Sequence, residues 1–219
     1  MAKHQSRNAR DISKRCIVNF RTILSLGLLL SLAGCSLLSP VKTPPNNQYT
    51  LSAAGATRTQ PVRENRPTLL IATPAASPGY DTTNMIYLER PFQLNHYANH
   101  HWVSPPAEML TPILEQKLRN SGCFRAALGL PSSGTADYIL NTELLALQQE
   151  FIGGRNQVRL ALLATLINGA SQQILAQRRF EAVVPAYQVN PYSGVVAANE
   201  AMAIVTQKLA TFLCRYADE

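Results

Sequence analysis

An α+β fold, with a mixed, largely antiparallel sheet and two main helices packed on one face, is predicted by three patterns in this 219-residue chain. Three long segments between Ala136 and Val184 alternate apolar and polar residues, as half-buried strands do. Two segments, after Pro105 and near the end of the chain, repeat apolar residues every three or four positions. Two helices beside a run of strands bury their stripes most economically on one sheet face.

The chain begins with a segment that does not belong to that fold. Lys3, Arg7, Arg10, Lys14, Arg15 and Arg21 stand against the single acid Asp11, and the apolar run Thr22–Leu32 follows. A basic region, a short apolar core and small residues before a cleavage point describe a secretory signal. A permanent membrane span needs ~20 apolar residues, more than this run holds. Leu32-Ala33-Gly34-Cys35 resembles the bacterial lipobox, which implies cleavage before Cys35, a diacylglycerol thioether on its sulphur and acylation of its new amine. Ser36, in place of an aspartate, implies onward export to the outer membrane, facing the periplasm. Residues 1–34 therefore read as signal peptide, 35–48 as a lipidated Pro-rich tether, and 49–219 as the folded domain.

Without residues 1–34 the net charge falls from +7 to +2. The basic character belongs mostly to the leader, which removes the main argument for nucleic-acid binding. Cys16 leaves with the leader and Cys35 takes lipid, so Cys123 and Cys214 remain in a compartment where disulfides persist. Their spacing is not that of metal ligands. A bridge between them and two separate buried thiols both fit the sequence.

In the domain, Tyr49-Thr50-Leu51 is a short strand and Ser52–Pro67 a loop. Thr68–Thr73, bounded by Pro67 and Pro74, reads as a buried strand, and Met85–Leu88 with Gln93–Trp102 as a further pair. Ser104-Pro105-Pro106 is a helix start with a hydroxyl cap and proline in the first turn. Leu110, Ile113, Leu114 and Leu118 give that helix its buried face as far as Ser121, and Gly122 ends it. A short strand over Phe124–Ala127 leaves the helix, and Ser132-Ser133-Gly134 reads as a turn.

Over Ala136–Phe151, alternation puts Tyr138, Leu140, Leu144 and Ala146 on one face and Asn141, Glu143 and Gln149 on the other. Gly153-Gly154 turns the chain into Gln157–Ile167. Asn168-Gly169 is a favoured pair for a tight hairpin into Gln173–Val184, where Ile174, Ala176, Phe180, Ala182 and Val184 alternate with polar residues. Ser193–Tyr216 is the second helix, its apolar stripe running Ala198, Met202, Val205, Leu209, Phe212 and Tyr216.

His96, His100 and His101 are the one concentration of ligand-type side chains. A metal site is the functional reading, but no carboxylate or cysteine stands at useful spacing beside them, so exposed or half-buried imidazoles at a strand end explain them better. No nucleophile elbow, phosphate loop or zinc-protease motif occurs, and the acids are scattered. Neither catalysis nor a cofactor is expected. The loops around Tyr80–Asn84 and Ala186–Tyr192, with Tyr80, Tyr187 and Tyr192, are the candidate contact surfaces, tyrosines in loops being frequent interface anchors; simple packing of the loops explains these residues equally well.

Tyr49-x-Leu51 after the tether, Met85-Ile-Tyr-Leu-Glu-Arg90, Trp102 before Pro105-Pro106, and Ala136-Asp137-Tyr138-Ile139-Leu140 occur in this order. Together they resemble the ABC-type transport auxiliary lipoprotein family from about Tyr49 to Tyr216. The resemblance implies a non-enzymatic outer-membrane lipoprotein working with an ABC permease and ATPase and with a periplasmic protein bearing mammalian-cell-entry domains. It also implies lipid transport between membranes and assembly as a homo-oligomeric ring. A lipid-anchored activator or scaffold for cell-wall enzymes is the alternative of a different class.

Overall fold

The computed structural model describes residues 45–52, 64–130 and 135–217. The leader 1–34, Cys35, the tether up to Pro44, most of the Ser52–Pro67 loop and the turn at Ser132–Gly134 lie outside the described residues. The strands are β1 (Asn47–Tyr49), β2 (Thr68–Ile71), β3 (Ala75–Ala76), β4 (Asn84–Leu88), β5 (Asn95–Trp102), β6 (Ala126–Gly129), β7 (Tyr138–Glu150), β8 (Gln157–Asn168) and β9 (Ile174–Pro185). The helices are α1 (Pro106–Ser121) and α2 (Pro191–Ala217).

β7 is the spine of a single nine-stranded mixed sheet. Along one edge it pairs antiparallel with β8 from Tyr138↔Asn168 to Glu150↔Gln157, and β9 extends the meander. Its other edge takes three short strands in turn, all parallel: β2 against Tyr138–Leu140, β3 against Glu143 and Leu144, and β4 against Gln148–Glu150. Pro74 separates β2 from β3, as a residue without an N–H must interrupt a ladder. β6 then adds parallel to β2, while β5 adds antiparallel to β4 and β1 parallel to β5. The long pairings are antiparallel and the short ones mostly parallel.

Both helices cover one face. Leu110, Ile113, Leu114 and Leu118 of α1 and Ala198, Met202, Val205 and Leu209 of α2 are buried in one core with Leu140, Leu144, Leu160, Leu162 and Leu166. Leu213 completes the α2 stripe, and Phe212 flanks it, edge-on to Phe180 and Tyr216. Fully burying one such aliphatic side chain contributes ~1.5–3 kcal/mol, so this stripe-on-sheet contact dominates the stability.

Several sequence-based expectations are corrected. α1 begins one residue later than a Ser104 cap requires: Pro105 is the N-cap, no side chain caps the end, and Pro106 starts the helix with its fixed φ. β7 carries a register shift between Leu144 and Ala146. An extra residue reverses the in/out order beyond it. Leu147 therefore joins the helix-side core, and Ala146 is buried outside that cluster. Gln149, expected on the polar face, lies under Gly194 of α2, where a Cβ would collide with its amide.

Asn168-Gly169 does not form a two-residue hairpin. The loop runs from 169 to 173, Asn168 Oδ1 accepts from the Ala170 and Ser171 amides, and Gln172 takes the left-handed φ of +58°. Gly169 is required for a different reason: its amide donates to the Asp137 carbonyl, and a Cβ there would collide with the Ala136 carbonyl. A second register shift, between Leu166 and Ile167, leaves Ile174 exposed where simple alternation placed it inside.

Candidate functional site

The strand ends collect at two ends of the sheet. Leu88, Asn95, Glu150, Gln157 and Pro185 mark one of them through their mutual registers. Three loops leave there: 89–94 between β4 and β5, 151–156 between β7 and β8, and 186–190 leading into α2. Phe92, at the left-handed φ of +69°, is fully exposed on the first. Tyr187 and Val189 on the third are 89% and 80% exposed, and Tyr192 at the start of α2 is 64% exposed.

Beneath these loops the side chains are fixed. Tyr97 donates its hydroxyl to Gln149 Oε1 at 3.0 Å, and the Gln149 amide nitrogen donates to Asn156 Oδ1 at 2.8 Å. Asn156 in turn donates to the Ala186 and Gln188 carbonyls, tying two loops together. Tyr87 packs against Tyr97 and Phe151 with ring centroids 4.7 and 6.1 Å apart. Burial, with Tyr87 and Glu89 nearby, pushes the Tyr97 phenol well above its ordinary value, so this ring is neutral at every physiological pH.

On the sheet face away from the helices, the same end holds an ion network. Glu150, only 6% exposed, accepts from Arg159 Nε at 2.7 Å, Gln148 Nε2 at 2.7 Å and Gln157 Nε2 at 2.9 Å. Arg159 also pairs with Glu181, which holds Arg179 as well. Burial alone would raise the Glu150 carboxyl; the hydrogen bonds from Arg159, Gln157 and Gln148 outweigh it and hold the group below the usual range. Tyr80 donates its hydroxyl to Gln148, and burial, then the charge of Glu150, raises its phenol. Of the three candidate contact tyrosines, Tyr80 is half-buried with its hydroxyl held by Gln148, Tyr192 leans on Tyr49 with ring centroids 6.3 Å apart, and Tyr187 is presented to solvent.

The histidines do not converge. Between His96 and His101, β5 bulges against β4, and His100 ends up stacked on Tyr49 and edge-on to Tyr97. Tyr49 and His100 share a 3.0 Å hydrogen bond. Among the described residues no three His, Cys, Asp or Glu side chains are grouped to hold a metal.

At the other end of the sheet a cavity of about 950 Å³ is lined by Arg66, Arg125, Asp137, Tyr138 and Tyr216, among others. Asp137 is already engaged: its Oδ2 accepts from the Thr68 amide at 2.7 Å and the Thr68 hydroxyl at 2.8 Å. Those bonds hold its carboxyl below the ordinary value. Tyr138 donates its hydroxyl to the Tyr216 carbonyl at 3.0 Å. The Ala-Asp-Tyr stretch thus clamps β2 and the end of α2 to the spine. Nearby, Cys123, just after the Gly122 that closes α1, is bonded to Cys214 near the end of α2, with Cα atoms 5.3 Å apart. Sequence reasoning missed Phe92; the signal was a phenylalanine set between Pro91 and Gln93 in a turn-forming stretch.

Two helices clasped by a disulfide on one face of a mixed sheet, with apolar side chains exposed on end loops, define an α+β domain with its helices on one side of the sheet. The chain belongs to the family of ABC-type transport auxiliary lipoprotein components, whose model matches residues 49–210. The fold is similar to that of protein XCC0632 from Xanthomonas campestris, of the family DUF330. The two are 22% identical with a TM-score of 0.66, covering 78% of this chain and 98% of that one. It is also similar to the crystal structure of an uncharacterized protein, 16% identical with a TM-score of 0.62, covering 78% of this chain and 99% of the other. No curated protein matches the chain in sequence. Among the described residues no helix is long and apolar enough to cross a membrane.

Proposed function

We propose that this chain is an outer-membrane lipoprotein, facing the periplasm, that serves as a non-enzymatic auxiliary component of an ABC-driven lipid transport system. Residues 1–34 are its signal peptide, Cys35 carries the acyl groups, 35–48 is the tether and 49–219 the working domain. Its partners are a periplasmic protein bearing mammalian-cell-entry domains and the ABC permease and ATPase behind it. The observation that carries this reading is the family match over residues 49–210, standing directly downstream of Leu32-Ala33-Gly34-Cys35. The chain works as a homo-oligomer; a ring of identical subunits uses two different surfaces on each copy.

Lipidation is tested by metabolic labelling with a fatty-acid probe. Wild type should incorporate label, and Cys35→Ala should not and should accumulate as uncleaved or mislocalised precursor. Equal labelling of the two would remove Cys35 as the attachment point. Partnership is tested by crosslinking in cells followed by mass spectrometry. Recovery of an entry-domain protein together with copies of this chain is expected. Recovery of cell-wall synthases in its place would replace transport by a scaffold role, and a strictly monomeric protein in sedimentation would remove the ring.

A further inference from the structure

The loops that carry Phe92, Tyr187 and Val189 are on the side from which the chain enters the domain. β1 runs parallel to β5 with Asn47 opposite His100, so Pro45 and Asn46 enter β1 from the side of Asn95 and the 89–94 loop. That stretch of β5 bulges against β4: His101 and Asn95 stand opposite Asn84 and Tyr87, three strand residues or ~10 Å apart, so the level of Asn47 lies close to the loop. The ten residues from Cys35 to Pro45 span at most ~35 Å when fully extended. Placing the opposite end of the sheet on the membrane would use most of that length to run backward along the domain.

From this placement we propose that the end of the domain bearing Phe92, Tyr187 and Val189 rests in the headgroup region of the bilayer that holds the Cys35 anchor. The proposal rests on the lipidation of Cys35. Phe92 is fully exposed on backbone that a bulky residue adopts only under strain, so the fold holds the ring outward. An aromatic side chain so placed is stabilised when it leaves water, and phenol rings sit well where apolar and hydrated layers meet. Arg90 stands exposed beside Phe92 and Arg155 on the neighbouring 151–156 loop, and Glu89 is the one acid of the three loops. Aromatic rings flanked by guanidinium groups match the acyl boundary and the phosphates of a phospholipid surface. Ile174 and Leu175 are exposed at the opposite end, without aromatic neighbours on their loop and away from the chain entry.

The test uses the full acylated chain, purified from membranes, with the Cys123–Cys214 bond intact. Phe92→Cys, Val189→Cys and, as a control in the far loop, Ala170→Cys are each labelled with an environment-sensitive fluorophore. The proteins are reconstituted into phosphatidylethanolamine/phosphatidylglycerol vesicles whose acyl chains carry bromine. A roughly twofold loss of emission is expected at residues 92 and 189, with none at 170, because heavy-atom quenching requires contact at the acyl boundary. Unquenched emission at 92 and 189 in acylated protein overturns the proposal. So does protection of residue 92 from aqueous iodide without bromolipid quenching, which would place the ring on a second copy or another protein. The mass of the purified chain separates the two readings: a chain without acyl groups on Cys35 overturns the anchor itself, whereas an acylated, unquenched chain overturns only the contact.

Discussion

Cys123→Ala combined with Cys214→Ala should lower the free energy of unfolding by about 3–5 kcal/mol. The bond joins residues 91 apart in sequence, so its removal frees a long loop in the unfolded chain. Its place in the fold makes it more than a staple for the ends. Cys123 follows the stop of α1, and Cys214 lies in the last turns of α2, so the bond ties both helices to each other at the far end of the sheet. Denaturant titration of wild type, reduced wild type and the double variant checks this. Reduced wild type and the double variant should unfold together, well below oxidised wild type. Thiol titration of the denatured, unreduced mature domain should find no free thiol. Two free thiols, or an unfolding midpoint insensitive to reductant, would show that the bond does not form in solution.

Much of this domain could be read from local pattern, because local pattern encodes burial. Leu110, Ile113, Leu114 and Leu118 are buried as their spacing demands, and Val158, Leu160, Leu162, Ala164 and Leu166 line one face of β8 without interruption. What escaped the sequence depends on contacts between distant residues. The register shift at Leu145 reverses the face of Gln149, and no composition signal marks it. β3 is two alanines made into a strand only by the free edge of β7. Gly169 resembles a turn glycine, yet its necessity comes from the Ala136 carbonyl more than thirty residues earlier. The residues that carry the family resemblance were legible as a pattern but not as parts. Asp137 and Tyr138 act as clamps, Trp102 is buried core, and Leu51 lies buried with its amide on the Met109 sulphur. The exposed side chains at the loop end became a site only when the sheet brought three loops together.

The second large effect lies beneath that end. Arg159→Leu should destabilise the domain by about 3 kcal/mol at neutral pH, toward the lower end of what breaking a buried ion pair costs, because the guanidinium is a third exposed. The substitution leaves Glu150 buried with two neutral donors, Gln148 and Gln157, in place of a cation. The pH dependence follows from the direction of the Glu150 shift. In wild type the carboxyl is held below its unfolded value, so its contribution is fully present above the ordinary carboxylate range and is lost as pH falls through the lowered value. In Arg159→Leu, burial acts without the opposing cation and raises the same group. Ionised Glu150 then costs stability at neutral pH, and the cost is relieved on acidification. Unfolding free energies of the two proteins should therefore differ most near neutrality and converge as pH falls toward ~4. Adding Glu150→Gln to Arg159→Leu should recover much of the loss by removing the stranded charge. Parallel stability curves from pH 7.5 to 4.5 would show that Arg159 acts through packing alone. Because β7 and β4 end at Glu150 and Leu88, loosening this network also loosens the bases of the 89–94 and 151–156 loops. Arg159→Leu should consequently raise amide hydrogen exchange at those two loops before it does so in α2.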